Sequence, residues 1–370
     1  MARRMVSRLP AVALTALVLA AVVAAPASAA LPRSFFGVSL HPPAFDPGVS
    51  LTAQMRGIAA TGAGTVTLSF EWLHAQPTAR GPVDFTRSDA AVGAAARAGL
   101  GVLPVVVTTP PWAALTPGEA FSPPADPTTY AAYLRALVDR YGPRGTFWTR
   151  NPSLPRRPIR GWHVWNEPVG GERPDGASIF WVDSRPFAPT YVALLRAARA
   201  AVRAADPGAD VVLAGLVGRS WETLTLLYAA GARGQFDAVS LHPYTGRPGN
   251  VLRAVGLVRA AMRAAGDANV PILVTEVGWP SFAPDLSWGD AGVRRHQAWW
   301  LSQVVPQLAR ARTRLGIGGV VWNTWITRDR DPANAFDHSG LVRLQDGGRV
   351  VPKRLVRTWR RVVGAELARR

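Results

Sequence analysis

Two glutamates stand where a carboxyl group could do chemistry. One ends Gly161-Trp162-His163-Val164-Trp165-Asn166-Glu167-Pro168, and the other lies within Ile272-Leu273-Val274-Thr275-Glu276-Val277-Gly278-Trp279. Both follow short apolar runs of strand character, so both carboxyls emerge at strand ends. Two such groups facing each other can share one reaction: one donates a proton to a leaving oxygen while the other meets an oxocarbenium-like carbon, as glycosidic cleavage demands. Carboxyls about 5–5.5 Å apart imply a covalent intermediate and retention, whereas roughly 6.5–9.5 Å implies inversion.

Other polar and aromatic residues fall at the ends of similar runs. Ser240-Leu241-His242-Pro243-Tyr244 supplies an imidazole and a phenol, and a phenol donating to Glu276 would stabilise its charged form. Val320-Val321-Trp322-Asn323-Thr324-Trp325 supplies two indoles on which a sugar face could pack, Trp322 being slightly favoured over Trp325. His41 follows the first run and could bind sugar or satisfy a backbone carbonyl. Glu71 and Trp72 follow the second; Glu71 could contact substrate or pair with an arginine, while Asp46 reads as a loop or capping residue. Trp72, Trp112, Trp181, Trp279 and Trp288 lie in segments that could furnish stacking platforms, about half of them exposed, whereas Trp162 and Trp299 are expected to be packed.

The elements that must position these groups recur along the chain. Eight β-branched runs, at residues 36–40, 65–70, 101–107, 159–165, 210–216, 238–241, 271–275 and 318–322, alternate with Ala/Leu/Arg segments of helical period. Residues 88–98, 127–141, 189–205, 253–265 and 294–312 are the plainest helices, several stopped by glycine or proline such as Gly99, Gly142 and Pro207. Eight strand-helix units predict an α/β protein, a single-domain (β/α)₈ barrel with extended loops on its catalytic face. The long segments 108–126, 169–189 and 280–292 follow the third, fourth and seventh strands and would shape a cleft there. Residues 141–157 precede the fourth strand on the opposite face and read as structural.

Trp165-Asn166-Glu167-Pro168 together with Thr275-Glu276-Val277-Gly278-Trp279 resembles the clan of retaining (β/α)₈ glycoside hydrolases that carries its glutamates on strands four and seven, the cellulase-like and β-xylosidase-like superfamily. The similarity in order and spacing extends over nearly the whole chain after its first 29 residues. It implies Glu167 as acid/base and Glu276 as nucleophile, with Asn166 bonding the sugar 2-hydroxyl. It also implies that Tyr244 supports the nucleophile, that His242 borders the cleavage subsite, and that a tryptophan of the eighth run lies under the sugar. His338-Ser339-Gly340-Leu341 through Asp346-Gly347 to Pro352-Lys353 resembles the clan's closing hairpin and last helix. Two positions depart from the clan: Thr67 stands where many members carry an arginine in strand two, and strand three ends Thr108-Thr109-Pro110-Pro111-Trp112 without a histidine.

Composition narrows the function classes. The chain has no cysteine, which excludes disulfides, thiolate catalysis and zinc-thiolate sites. Its histidines are scattered, so no metal site is expected, and with neither a phosphate-binding loop nor a Gly-x-Ser-x-Gly elbow no cofactor or serine nucleophile is expected. Arg3, Arg4 and Arg8 precede an apolar run at residues 11–23, and Ala27-Ser28-Ala29 offers a small-residue cleavage site, the pattern of an export signal. We therefore read residues 1–29 as a signal cleaved after Ala29 and residues 30–370 as the catalytic domain, secreted or cell-wall associated. That apolar run is short for a membrane span, and no second one follows.

The formal charge is +18, or +15 without those three arginines, and could favour weak association with a polyanion or cell-wall polymer. Nearly all of it is dispersed arginine, dense only over residues 353–370, which fits codon bias better than a nucleic-acid face. A carbohydrate substrate, no nucleic acid, no membrane span after processing and a monomer are the expectations. The same glutamate pair could also serve a transglycosylase, and a non-catalytic carbohydrate-binding barrel could keep the cleft without turnover.

Overall fold

The computed structural model describes residues 30–171, 178–281 and 293–369. The signal pattern of residues 1–29, the stacking candidate Trp288 and parts of the long segments after strands four and seven lie outside the described residues.

The alternation of apolar runs and helical segments resolves into eight parallel strands: β1 Phe36–Ser39, β2 Thr65–Glu71, β3 Gly101–Val107, β4 Gly161–Val164, β5 Asp210–Val212, β6 Val239–Leu241, β7 Ile272–Val277 and β8 Ile317–Trp322. They pair in the order β5-β4-β3-β2-β1-β8-β7-β6. The two outer strands meet through Leu213 N–H to Ala238 O at 2.9 Å, Leu216 N–H to Ser240 O at 3.1 Å and His242 N–H to Leu216 O at 2.9 Å, which joins the sheet into a barrel. The expected (β/α)₈ architecture is therefore present as one domain.

Among the described residues the helices are α1 Leu51–Ala59, α2 Trp72–Ala75, α3 Thr86–Ala98, α4 Pro127–Tyr141, α5 Thr146–Arg150, α6 Phe187–Ala205, α7 Ser220–Ala229, α8 Pro248–Ala264, α9 Val293–Leu315 and α10 Arg354–Leu367. Local chemistry sets their ends. Asp126 caps α4, its carboxylate accepting from Thr128 N–H at 2.9 Å, with Pro127 pre-set for the first turn. Gly99 ends α3 in the left-handed region at φ 77°. Phe147 and Trp148 of α5 are buried, in keeping with the structural reading of residues 141–157.

After β8 the chain adds β9 Ile326–Thr327, which pairs with β10 Val342–Leu344, itself in an antiparallel hairpin with β11 Val350–Pro352. The closing hairpin leads into α10. That helix buries Leu355, Val356, Trp359, Val362 and Val363 and exposes Arg354, Arg357, Arg360 and Arg361, so the dense basic stretch is the outer face of an amphipathic helix. No helix among the described residues is long and apolar enough to cross a membrane.

The barrel interior beneath its C-terminal end is polar for a core. Ser39, Thr67, His163, Ser240 and Thr275 are all buried there.

Candidate active site

Regular strand pairing ends at Val164, and the next residues leave ordinary backbone space. Trp165 has φ 72° and Glu167 φ 40°, a left-handed region that side chains other than glycine rarely occupy. Such positions cost about 1–3 kcal/mol each and persist where surrounding structure holds them. Here Trp165 is fully buried and its indole N–H donates to Phe180 O at 2.6 Å, while Gly170 N–H returns to Glu167 O at 2.7 Å. The outcome is a Glu167 carboxyl turned into the barrel mouth. Glu276 arrives differently, as the fifth residue of β7, inside the strand where its register against β8 shifts between Val274 and Val277.

His242 stands between them. Its Nδ1 is 2.6 Å from Glu167 Oε1 and 3.7 Å from Glu276 Oε2, and its Nε2 is 3.0 Å from Thr275 Oγ1. Thr275 in turn shares a hydroxyl contact with Ser240. Because those hydroxyls rotate to donate or accept, the imidazole can keep both contacts in any protonation state. Burial pulls the His242 pKa down, but the Glu276 and Glu167 carboxylates outweigh it and the net shift is upward. Gly215 makes room for this ring, since a Cβ there would overlap the imidazole.

Glu276 is fixed by two donors. Tyr244 O–H donates to its Oε2 at 2.5 Å and Asn323 Nδ2 donates to the same oxygen at 3.0 Å. Burial, then the nearby Glu276 and Glu167 charges, push the Tyr244 phenol well above its ordinary range, so it remains a donor. Asn323 is itself clamped: its Oδ1 lies 2.6 Å from Ser39 Oγ and 2.7 Å from His41 Nε2, and its Nδ2 also reaches the Tyr244 hydroxyl oxygen at 2.5 Å. An ionised carboxylate only accepts, so this contact orients the amide with its NH₂ toward Glu276. Gly278 permits the approach, because a Cβ there would overlap the Asn323 carbonyl oxygen.

One oxygen of each carboxylate and the His242 ring nitrogen all lie within 4.8 Å of one another. That grouping is also the arrangement of His and carboxylates, among the described residues, close enough to share a cation; in it the imidazole Nδ1 and Glu167 Oε1 are already bonded to each other. The groups open into a cleft of about 720 Å³ whose lining includes His41, Glu71, Asn166, Tyr244 and Asn323. Glu71 pairs with an arginine, 3.9 Å from Arg87 and 3.3 Å from His74, and also lines the cleft. Asp46 pairs with Arg328.

Several sequence expectations need correction. Trp322 and Trp325 do not lie under a sugar. Trp322 is fully buried, packs on Trp279 and Trp359 and donates to Ser339 O at 3.3 Å, while the buried Trp325 donates to Gln54 of α1 at 2.9 Å. Trp72 is likewise buried, stacked on Tyr133 and edge-on to Trp112 and Tyr130. An indole buries about 150–250 Å², and at roughly 25 cal/mol per Å² that is worth several kcal/mol, so with room in the core it goes there. Trp181 and Trp279 are buried too, and Trp112 is half-buried. Trp162 is packed as expected, whereas Trp299, expected to be packed, is 55% exposed on α9. In place of indoles the cleft walls carry Pro42, Pro43, Phe121, Phe180 and Phe336.

The residue that the sequence reading passed over is Asn323. Side chains alternate along a strand, and β8 pairs Gly37 with Val321 and Val38 with Trp322. That parity turns Trp322 outward to the helices and Asn323 inward to the axis. The signal was available in the sequence as the residue next to the tryptophan.

No family model matches the sequence, and no curated protein matches it. Solved structures do. A family 39 glycoside hydrolase from Bacteroides cellulosilyticus WH2 superposes with a TM-score of 0.64 at 19% identity, over 90% of this chain and 63% of that one. It has the (β/α)₈ fold of these glycoside hydrolases. A monomeric β-xylosidase from Caulobacter crescentus CB15 gives 0.64 at 17% identity over 90% of this chain and 69% of that one. A GH5_18 variant from Streptomyces cattleya, in complex with Manβ1-4GlcNAc, gives 0.64 at 20% identity over 89% and 80%. The chain thus spans a little under two thirds of the length of the first of these structures.

Proposed function

We propose that this protein is a retaining glycoside hydrolase acting on a polysaccharide or oligosaccharide outside the cytoplasm. The observation that carries the proposal is the placing of Glu167 and Glu276 on either side of one imidazole in one cleft, with carboxylate oxygens within 4.8 Å, a spacing on the short, retaining side. Ionised Glu276 attacks the anomeric carbon as its bond to the leaving oxygen breaks, and the Glu167 proton passes to that oxygen. Water then attacks the glycosyl-enzyme, Glu167 takes the water's proton, and the Glu276–carbon bond breaks. His242 holds Glu167 through both protonation states, while Tyr244 and Asn323 hold the charge on Glu276 until attack. The neighbouring folds, a β-xylosidase among them, support carbohydrate as the substrate class, and the export pattern of residues 1–29 supports action outside the cytoplasm.

A panel of aryl glycosides and plant and bacterial polysaccharides, with NMR of the first-formed anomer, tests this. Hydrolysis with the anomeric configuration kept is expected. Inversion of the first product overturns the double displacement, and binding without turnover across the panel overturns the enzyme reading. Glycosyl transfer dominating at high acceptor concentration would make the protein a transglycosylase instead.

A further inference from the structure

The chain carries 42 lysines and arginines against 24 acids, yet among the described residues not one of its basic side chains lines the cleft. The lining acids are Glu71, Glu167, Glu276 and Asp337, with His41 as the one other titratable group besides Tyr244. Asp337 is a standing charge: it accepts from the backbone N–H groups of Arg328, Arg330 and Asp331 at 3.0, 2.7 and 2.9 Å. Burial works against that charge, but the three donors outweigh it and hold the carboxyl below its usual range.

Two guanidiniums near the cleft do not line it. Arg87 lies over the Phe45 ring and 3.9 Å from Glu71, in a recess behind that carboxylate, and Arg328 is paired with Asp46.

We infer that the cleft selects uncharged glycans and rejects uronate-bearing ones, an inference that rests on the glycosidase reading above. A uronate entering this site would lose water and meet like charge, with no lysine or arginine among the described lining residues to pair it, which is a stronger barrier than a missing contact. An uncharged sugar meets carboxylates that accept its hydroxyls and apolar walls, Pro42, Phe121 and Phe336 among them, that accept its C–H faces. Among the described residues the α10 arginines Arg354, Arg357, Arg360 and Arg361 put a dense patch of positive charge on the exterior. Any attraction to a polyanion therefore acts away from the bond that is cut.

The test uses backbone-matched pairs that differ only in charge, such as cello-oligosaccharides and their C6-oxidised counterparts, titrated into the full-length Glu276→Gln protein. Shifts of the His41 and His242 imidazole resonances report the cleft and ignore ion binding on the exterior. The neutral series should move them at concentrations about tenfold or more below the oxidised series, as expected for one uncompensated like charge in a partly desolvated site. Glu71→Lys should narrow that ratio. Equal or tighter response to the oxidised series overturns the inference. Uronides hydrolysed with retention by the unmodified protein would overturn it while leaving the glycosidase reading intact. Neither series moving the resonances, with no hydrolysis of either, would overturn both.

Discussion

The two carboxylates of the cleft are held in opposite ways. Glu276 sits within strand β7, at a shift of its register against β8, and takes two neutral donors, Tyr244 and Asn323, on one oxygen, with Ser39 and His41 behind Asn323. Glu167 lies beyond its strand, in left-handed backbone, and meets one side chain that can itself gain or lose a proton. The difference matches the proposed division of labour. A nucleophile must stay ionised and fixed before attack, and fixed dipoles do that without reorganisation. An acid/base must exchange a proton twice in each cycle, so its partner has to tolerate both states.

The sharpest way to break this comparison is to remove each carboxyl. Glu276→Ala should lower glycoside hydrolysis about 10⁴-fold or more whatever the leaving group, because no bond to the anomeric carbon can form. Glu167→Ala should cost about 10²–10⁴-fold on substrates with poor leaving groups, as for lost general acid catalysis, and far less on dinitrophenyl glycosides that leave unassisted. Added azide should restore turnover in both, giving a glycosyl azide of inverted configuration with Glu276→Ala and of retained configuration with Glu167→Ala. The reverse stereochemistry would exchange the roles assigned to the two residues.

Next in size are the donors on Glu276. A hydrogen bond to a charged group is worth roughly 1.5–3 kcal/mol, so Tyr244→Phe and Asn323→Ala should each slow nucleophilic attack about 10- to 100-fold. Trapping by a 2-deoxy-2-fluoro glycoside reads that step directly. Ser39→Ala should do less, since His41 still holds the Asn323 oxygen. If Asn323→Ala traps as fast as the unmodified chain, the amide is packing and nothing more.

How much of this the sequence disclosed follows a physical line. The strands were legible because buried parallel strands are continuous β-branched runs, and the glutamates because they terminate two of those runs. Boundaries drifted where pairing outlasts composition: β7 continues through Val277, while β5 stops at Val212 although apolar residues continue to Leu216. The errors concern side-chain direction and burial. Trp72, Trp322 and Trp325 were assigned by type to sugar stacking, but their neighbours, Tyr133, Trp359 and Gln54, come from distant parts of the chain and claimed them for the core. Trp299 erred the other way. The absence of an arginine at Thr67 and the phenol of Tyr244 beside Glu276 were legible in the sequence; the Asn323 amide on the same oxygen was passed over, because it was read as the neighbour of a tryptophan.

The smallest expected effect concerns stability, and it extends the contrast to the two histidines of the barrel interior. His163 is fully buried, and burial first, then the His242 charge, lowers its pKa from 6.5 to about 3 against a smaller opposing contact with the Leu213 backbone. A group that is neutral in the fold and protonated in the unfolded chain withdraws stability as pH falls, here from about 6.5 toward 3. His242 has the opposite sign. Its raised pKa gives stability that is complete below 6.5 and is lost as pH rises through the folded value. The two windows meet near 6.5, so between them these histidines favour maximal stability there. Thermal melts across pH should show His163→Phe flattening the acid limb, by up to a few kcal/mol at its foot. His242→Asn should flatten the limb above 6.5 and, by removing the neighbouring charge, soften the acid limb as well. An acid limb unchanged in His163→Phe would mean that the carboxylates alone drive acid unfolding, and that His163 is no part of the contrast.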